Sequence, residues 1–366
     1  MPPAAAQSVR TLYKSAYSAF QYRLRTFAGG RWNDYCRPTD IGFMMTNLCN
    51  ARCVHCDIWK NRGKEDLPTV DDYKRVLSDL RSWLGPVHVF LSGGEALLRP
   101  YTPDVLAHGA KVGLLMEILT HGWWDDQSRI ERVAVANPWR VTVSVDAASS
   151  THDVVRGREK FWEKTRTTLE TLLRVRSEKR LTFLIRLKTV VMSHNLEEVA
   201  GVARFASQYK GVDVFYQAIE QNYNTPEDPR WFDHSANWPR DTQRAVEVVQ
   251  ELISLKRQGL PVGNGYDQLD AMIPYFRNPD AMRVSIQSHV AHEHKPICSA
   301  LNNIQLLPNG DVLTCFGMPP VGNIRTTPIR TIWENRPQWW KEGCCMHQRC
   351  TQAEKQLLSL TAVAEK

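Results

Sequence analysis

Between Asp40 and Ile219, short apolar runs alternate with amphipathic segments six times. No other feature of the chain constrains its fold as much. The runs IGFMMT, VHVFLS, LLMEILT, RVTVSVD, LTFLIRLKTVVM and VDVFYQAI read as strands, and the stretches between them carry helical spacing. The segment TVDDYKRVLSDLRSWLG has its own punctuation: Thr69 to cap it, Asp72 three residues on, and Gly85 to end it. Strands separated by helices require right-handed crossovers and a parallel sheet, hence an α/β barrel or partial barrel.

Each strand is succeeded by a polar set. After the first comes TNLCNARCVHCDIWK, with Cys49, Cys53 and Cys56; after the second, SGGEALLRP, with Gly93, Gly94 and Glu95. Thr120, His121 and Gly122 come after the third, Ser144, Asp146 and HDVVRG after the fourth. Ser193 and Asn195 come after the fifth, Gln217 and Glu220 after the sixth. Alone, a Gly-Gly pair is a turn and a Ser or Asp after a strand is a helix cap. Together they occupy the strand C-terminal ends, where barrels build their sites.

Nine cysteines among 366 residues, clustered at two places, fit metal binding better than a disulfide framework. No apolar run reaches the roughly eighteen residues of a membrane span, and the N-terminus lacks the apolar segment and cleavage site of a signal peptide. A cytoplasmic setting with reduced thiols is expected. The net charge of +7 is dispersed and comes with no zinc-finger, RNP or KH pattern, which disfavours nucleic acid.

The spacing C-x3-C-x2-C asks why there are three cysteines rather than four. Zinc needs a fourth ligand, and His55 between Cys53 and Cys56 points awkwardly for the same ion. An iron–sulfur cube takes one cysteine per iron, so three leave one iron open. The triplet after strand one, with Gly-Gly-Glu after strand two, resembles the radical S-adenosylmethionine (SAM) superfamily over Asp40 to Ile219. The resemblance implies a partial (β/α)6 barrel and a [4Fe–4S] cluster on Cys49, Cys53 and Cys56, with SAM chelating the open iron. It implies that Gly93, Gly94 and Glu95 hold the methionyl amino group and that His55 lies beside the adenine. It places Ser144 and Asp146 near the ribose and Arg156 near the methionyl carboxylate. His121 departs from the asparagine common at its position. The implied chemistry is reductive cleavage of SAM to a 5′-deoxyadenosyl radical that abstracts hydrogen from a substrate.

The second cysteine group, ICSALNNIQLLPNGDVLTCFG and GCCMHQRC, contains a hairpin turning at Asn309-Gly310. It resembles the SPASM or twitch region, a small hairpin-plus-helix domain for an auxiliary cluster. Five cysteines rather than seven favour one cluster there, on Cys298, Cys315, Cys350 and Cys345 in preference to Cys344; zinc on the same four is the alternative. Cys36 reads as a buried thiol. The expected domains are 1–35, an N-terminal helix and lead-in; 36–260, the barrel; 261–295, a linker; and 296–366, the auxiliary-cluster region and tail.

The N-terminal helix aligns Val9, Leu12, Tyr13, Ala16, Phe20, Leu24 and Phe27 on one face. The expectation is that this face packs on the barrel, with peripheral membrane contact as the alternative. EQNYNTPEDPRWFDHSANWPR is a candidate lid, or a loop whose tryptophans pack on the barrel. Tyr266 and Asp267 are candidate pocket residues. The expected substrate is a small molecule, peptide or lipid; lacking a peptide-recognition domain of about eighty residues ahead of the barrel, the chain is less suited to a peptide. An external donor such as flavodoxin or ferredoxin would supply electrons. A non-catalytic electron carrier and a zinc-binding interaction module are the competing classes.

Overall fold

All six expected strands form, and they lie side by side in sequence order. They are β1 (Asp40–Met44), β2 (His88–Ser92), β3 (Leu115–Thr120), β4 (Arg140–Ser144), β5 (Leu184–Val191) and β6 (Val212–Ala218), each parallel to the next. The structure is a computed structural model and describes residues 3–27, 33–226, 228, 230–279, 301–315 and 319–337. The outer layer includes α2 (Val70–Leu84), α3 (Thr102–Val112), α4 (Ser128–Val135), α6 (Phe161–Glu178) and α7 (Val199–Ala206). Thr69 and Asp72 form the expected capping box on α2, and Gly85 ends it at φ 78°. The strands alternate: Ile185, Leu187 and Val191 of β5 are buried against the helices, whereas Arg186 and Lys188 face inward and are partly exposed. This is the partial (β/α)6 barrel.

The C-terminal hairpin joins the same sheet. β7 (Asn303–Leu306) pairs parallel with β1, β8 (Asp311–Leu313) returns antiparallel, and β9 (Gly322–Asn323) comes next. A short helix, here α11 (Ile329–Glu334), lies against α2, and Trp333 Nε1 donates to Cys36 O at 3.1 Å. The described part of the expected auxiliary region is therefore a continuation of the barrel edge. Cys36 is buried, as expected.

Two expectations are corrected. The segment expected to be a linker contains a helix, α10 (Tyr266–Arg277), packed on α9 (Thr242–Arg257) through Leu269, Met272, Tyr275 and Phe276. Pro274 near its end disguises the helical spacing. Tyr266 and Asp267 sit on its exposed first turn and do not line the cavity that holds the cysteine triplet. The candidate lid buries Trp238 against Tyr275 and Phe276 and Trp231 against Trp238, so much of it is a packed loop.

The second correction concerns α1 (Pro3–Phe27). It docks by a flank of the expected face that keeps Tyr13 but adds Lys14, Tyr17 and Gln21 and leaves Val9, Leu12 and Phe20 out. Tyr13 donates to Leu84 O at 2.9 Å, Tyr17 to Pro38 O at 3.0 Å, and Gln21 Oε1 accepts from Arg37 N at 2.8 Å. Lys14 reaches the start of β4, 4.6 Å from the centre of the Trp139 ring. Val9, Leu12 and Phe20 point outward, 55%, 70% and 62% exposed. Apolar spacing alone missed this flank because the barrel floor is polar. Phe20→Glu should therefore change stability by less than about 0.5 kcal/mol in chemical denaturation.

That floor centres on Glu117. It accepts from His88 Nε2 at 2.7 Å and from Arg140 Nη2 at 2.5 Å, and Thr142 donates to its other oxygen. Burial opposes the charge of Glu117, but His88 and Arg140 outweigh it and hold the carboxyl well below the usual range. Burial lowers His88 as well, so a neutral His88 donates to an ionised Glu117. A depressed acid contributes stability above its unfolded pKa of about 4.3 and loses it as the pH falls further. Glu117→Gln should cost about 3–5 kcal/mol at pH 7. It should also flatten the decline in stability between about pH 5 and pH 3, read from denaturation curves across that range.

Candidate cofactor and substrate site

The cysteine loop is built against the Gly-Gly-Glu loop. Met45 N donates to Ser92 O at 2.8 Å, Gly94 N to Thr46 O at 2.7 Å and Glu95 N to Leu48 O at 2.9 Å. This close approach explains the glycines. Gly93 has φ +141°, and a Cβ there would lie 2.5 Å from Thr46 O; a Cβ on Gly94 would overlap Leu48 O.

Two further clasps hold the loop. On one side are α5 (Thr151–Arg156) and Gly157: Arg52 N and Val54 N donate to the carbonyls of Arg156 and Val155, each at 3.0 Å. On the other, Asn222 and Asn237 donate to Val54 O at 3.1 and 2.9 Å. Glu65 accepts from Thr46 Oγ1 at 2.5 Å and Asn47 N at 2.6 Å and pairs with Arg99. Glu65, Asn222 and Asn237 escaped the sequence reading because nothing local marks residues that meet only through the fold.

Cys49, Cys53 and Cys56 line a cavity of about 440 Å³ at the strand C-terminal ends. Burial pushes the Cys49 thiol up to about 12, with Glu95 adding to it, and the Cys56 thiol up to about 11. Burial also raises Cys53, against the pull of Arg156. Among the described residues, no three Cys, His, Asp or Glu side chains gather as for one metal ion.

Glu95, buried, accepts from Leu97 N at 3.1 Å and His121 N at 2.9 Å; burial raises it to about 7. His121 Nδ1 accepts from Trp123 N, so Nε2 carries the proton and donates to Asn50 Oδ1 at 2.7 Å. His121 thus ties the third strand to the cysteine loop. His55 lines the cavity with a buried Nδ1 that has no hydrogen-bond partner, and burial lowers its pKa to about 4. An orphaned ring nitrogen beside three thiols is what a missing polar ligand would leave.

Ser144 and Arg156 also line the cavity. Asp146 does not: it is fully buried, 2.7 Å from Arg156, and accepts from Val190 N at 3.0 Å. Asn195 is structural, donating to Asp146 O at 2.8 Å. The cavity gains Tyr223 from the candidate lid, Asp40 from β1, and Asn303 and Gln305 from β7. Gly42 makes room for Gln305 beside Phe90. Cys315, just past β8, is buried and does not line the cavity. Cys298, Cys344, Cys345 and Cys350 lie outside the described residues.

Fold and site together define a partial α/β barrel with a cysteine-lined cavity in its C-terminal mouth. Residues 43–206 match the family described as "Radical SAM superfamily". Over 81% of its length the chain is 26% identical to the AdoMet-dependent heme synthase of Methanosarcina barkeri, covering 82% of that protein. It is 24% identical to the PqqA peptide cyclase of Xanthomonas campestris pv. campestris, over 81% of this chain and 74% of the relative. In fold it is similar to Streptococcus suis SuiB bound to precursor peptide SuiA. The TM-score is 0.61 at 14% identity, covering 84% of this chain and 67% of that one. Residues 43–206 are a radical SAM domain, and the chain is an enzyme similar over most of its length to these relatives.

Proposed function

We propose that Cys49, Cys53 and Cys56 hold a [4Fe–4S] cluster with one open iron, and that the cavity beside them binds SAM and a substrate. The observation that carries this is the joining of the cysteine and Gly-Gly-Glu loops into one cavity wall, with the orphaned His55 Nδ1 beside it. When bound, the cluster and SAM would supply one-electron cleavage of the sulfonium and a 5′-deoxyadenosyl radical that abstracts hydrogen from substrate. The protein's part is orientation and exclusion of water. Gly93, Gly94 and Glu95 receive the methionyl end, His55 the adenine and Ser144 the ribose side, while Asp146 acts from behind the wall through Arg156.

The substrate is a small molecule, peptide or lipid. Asp40, Asn303 and Gln305 line the cavity with hydrogen-bonding groups, which suits a polar substrate such as a peptide amide. Transfer of deuterium from a labelled candidate into 5′-deoxyadenosine tests it; a turned-over substrate that never transfers its label contradicts it. Electrons come from an external flavodoxin- or ferredoxin-type donor.

Cys315, with Cys298, Cys345 and Cys350, holds one auxiliary [4Fe–4S] cluster that accepts the electron left on the substrate radical. Cys315→Ala should lower iron from about eight to about four per chain and spare SAM cleavage. Zinc in the second site of the wild type would contradict that assignment.

The outward apolar stripe of α1, on a helix without acidic residues, rests on an anionic membrane surface. Among the described residues no helix is long and apolar enough to cross a membrane. Phe20→Glu should reduce sedimentation with anionic vesicles. A wild-type chain that stays in the supernatant would end this part of the proposal.

A further inference from the structure

Arg156 has two neighbours that decide its role. Nη2 pairs with Asp146 Oδ2 at 2.7 Å, and Nη1 lies 3.7 Å from Cys53 Sγ, in donor range for sulfur. The arrangement is fixed from both ends. Asp146 is held by Val190 N, and its carbonyl by Asn195. The backbone of Arg156 accepts from Arg52 N, one residue before Cys53. Gly157 keeps this contact close, since a Cβ there would overlap Arg52 O. His152 is buried alongside, its Nδ1 accepting from Asp146 N at 3.1 Å, so it adds no second cation. Burial works against the charge on Arg156, but Asp146 and Cys53 more than offset it and hold it cationic.

We infer that Arg156 is a positioning residue that acts through Cys53. It sets how readily a cluster on that sulfur accepts an electron, and it does not clamp the carboxylate of SAM. The inference rests on the cluster assignment proposed above. One N–H of each terminal nitrogen is turned to Asp146 and to Cys53, so the guanidinium is held facing the ligand sulfur instead of being presented free to a carboxylate, although Nε keeps an unpaired N–H. The Asp146–Arg156 pair is neutral overall, yet its positive end faces the sulfur. Reduction adds negative charge to the cluster and its sulfur ligands, and an N–H donor beside a ligand sulfur stabilises that state. Arg156 and Cys53 are both buried, so the interaction is weakly screened.

The test is an EPR-monitored redox titration of the reconstituted chain without SAM, paired with SAM binding by equilibrium dialysis. Arg156→Gln should shift the cluster midpoint to more negative potential, whereas Arg156→Lys, which keeps a cation, should retain part of the wild-type value. Because the glutamine variant leaves Asp146 buried without its partner, Asp146→Asn/Arg156→Gln serves as a second variant and should show the same negative shift. SAM affinity should fall by much less than tenfold in all three. A midpoint unchanged in the double variant, or SAM affinity reduced about tenfold or more with the midpoint unmoved, would overturn the inference and make Arg156 a carboxylate clamp. Failure of the cluster assignment reads differently: the wild-type chain would give no cluster signal to titrate.

Discussion

Cys53→Ala should abolish formation of 5′-deoxyadenosine from SAM in the reduced, anaerobically reconstituted chain. Cys53 is the middle ligand of the proposed cluster, lines the cavity and lies beside Arg156. Two thiols cannot hold the cube that three hold with one iron open. Iron at the second site should remain, because the buried Cys315 does not share the cavity. The fold should also survive: the loop is clasped by backbone bonds at Arg52 and Val54, which the substitution leaves in place. 5′-Deoxyadenosine formed at the wild-type rate by this variant would refute the ligand assignment.

The second large effect is expected from one added methyl group. Gly94→Ala places a Cβ against Leu48 O, in the backbone that carries Cys49. The obstacle is a carbonyl fixed by Glu95 N at 2.9 Å, so it has little freedom to move aside. The two loops should part, with a cost of about 1–3 kcal/mol or more in denaturation and loss of cluster uptake on reconstitution. Gly259→Ala, where a Cβ would meet nothing within 4 Å but φ is +86°, is a useful comparison. It should show the strain of a positive φ while keeping full cluster uptake.

The barrel was legible because each strand and helix announces itself locally. The capping box at Thr69 and Asp72 and the apolar runs are short-range signals, and the parallel order comes from crossover handedness. The cysteine triplet and Gly-Gly-Glu were legible for the same reason. The residues that escaped are those the fold assembles from distant segments. Glu65, Asn222 and Asn237 brace the cysteine loop from positions with no motif around them. Asn303 and Gln305 enter the cavity only because β7 pairs with β1. Gly93 and Gly94 were expected to hold the methionyl amino group, and the structure adds a nearer reason for glycine there in the carbonyls of Thr46 and Leu48. The face of α1 was misread because periodicity reports which side is apolar, not whether the surface awaiting it is apolar too. Tyr13, Tyr17 and Gln21 find polar partners on the barrel, and Val9, Leu12 and Phe20 are left outward.

The central claim is that three cysteines hold a cube whose fourth iron is open to SAM. Its most direct test is the EPR spectrum of the reduced Cys315→Ala chain, which isolates the first cluster, recorded with and without saturating SAM. The account predicts a four-iron signal that changes in g-values when SAM is added, because SAM becomes a ligand. A four-iron signal identical in both samples would contradict it.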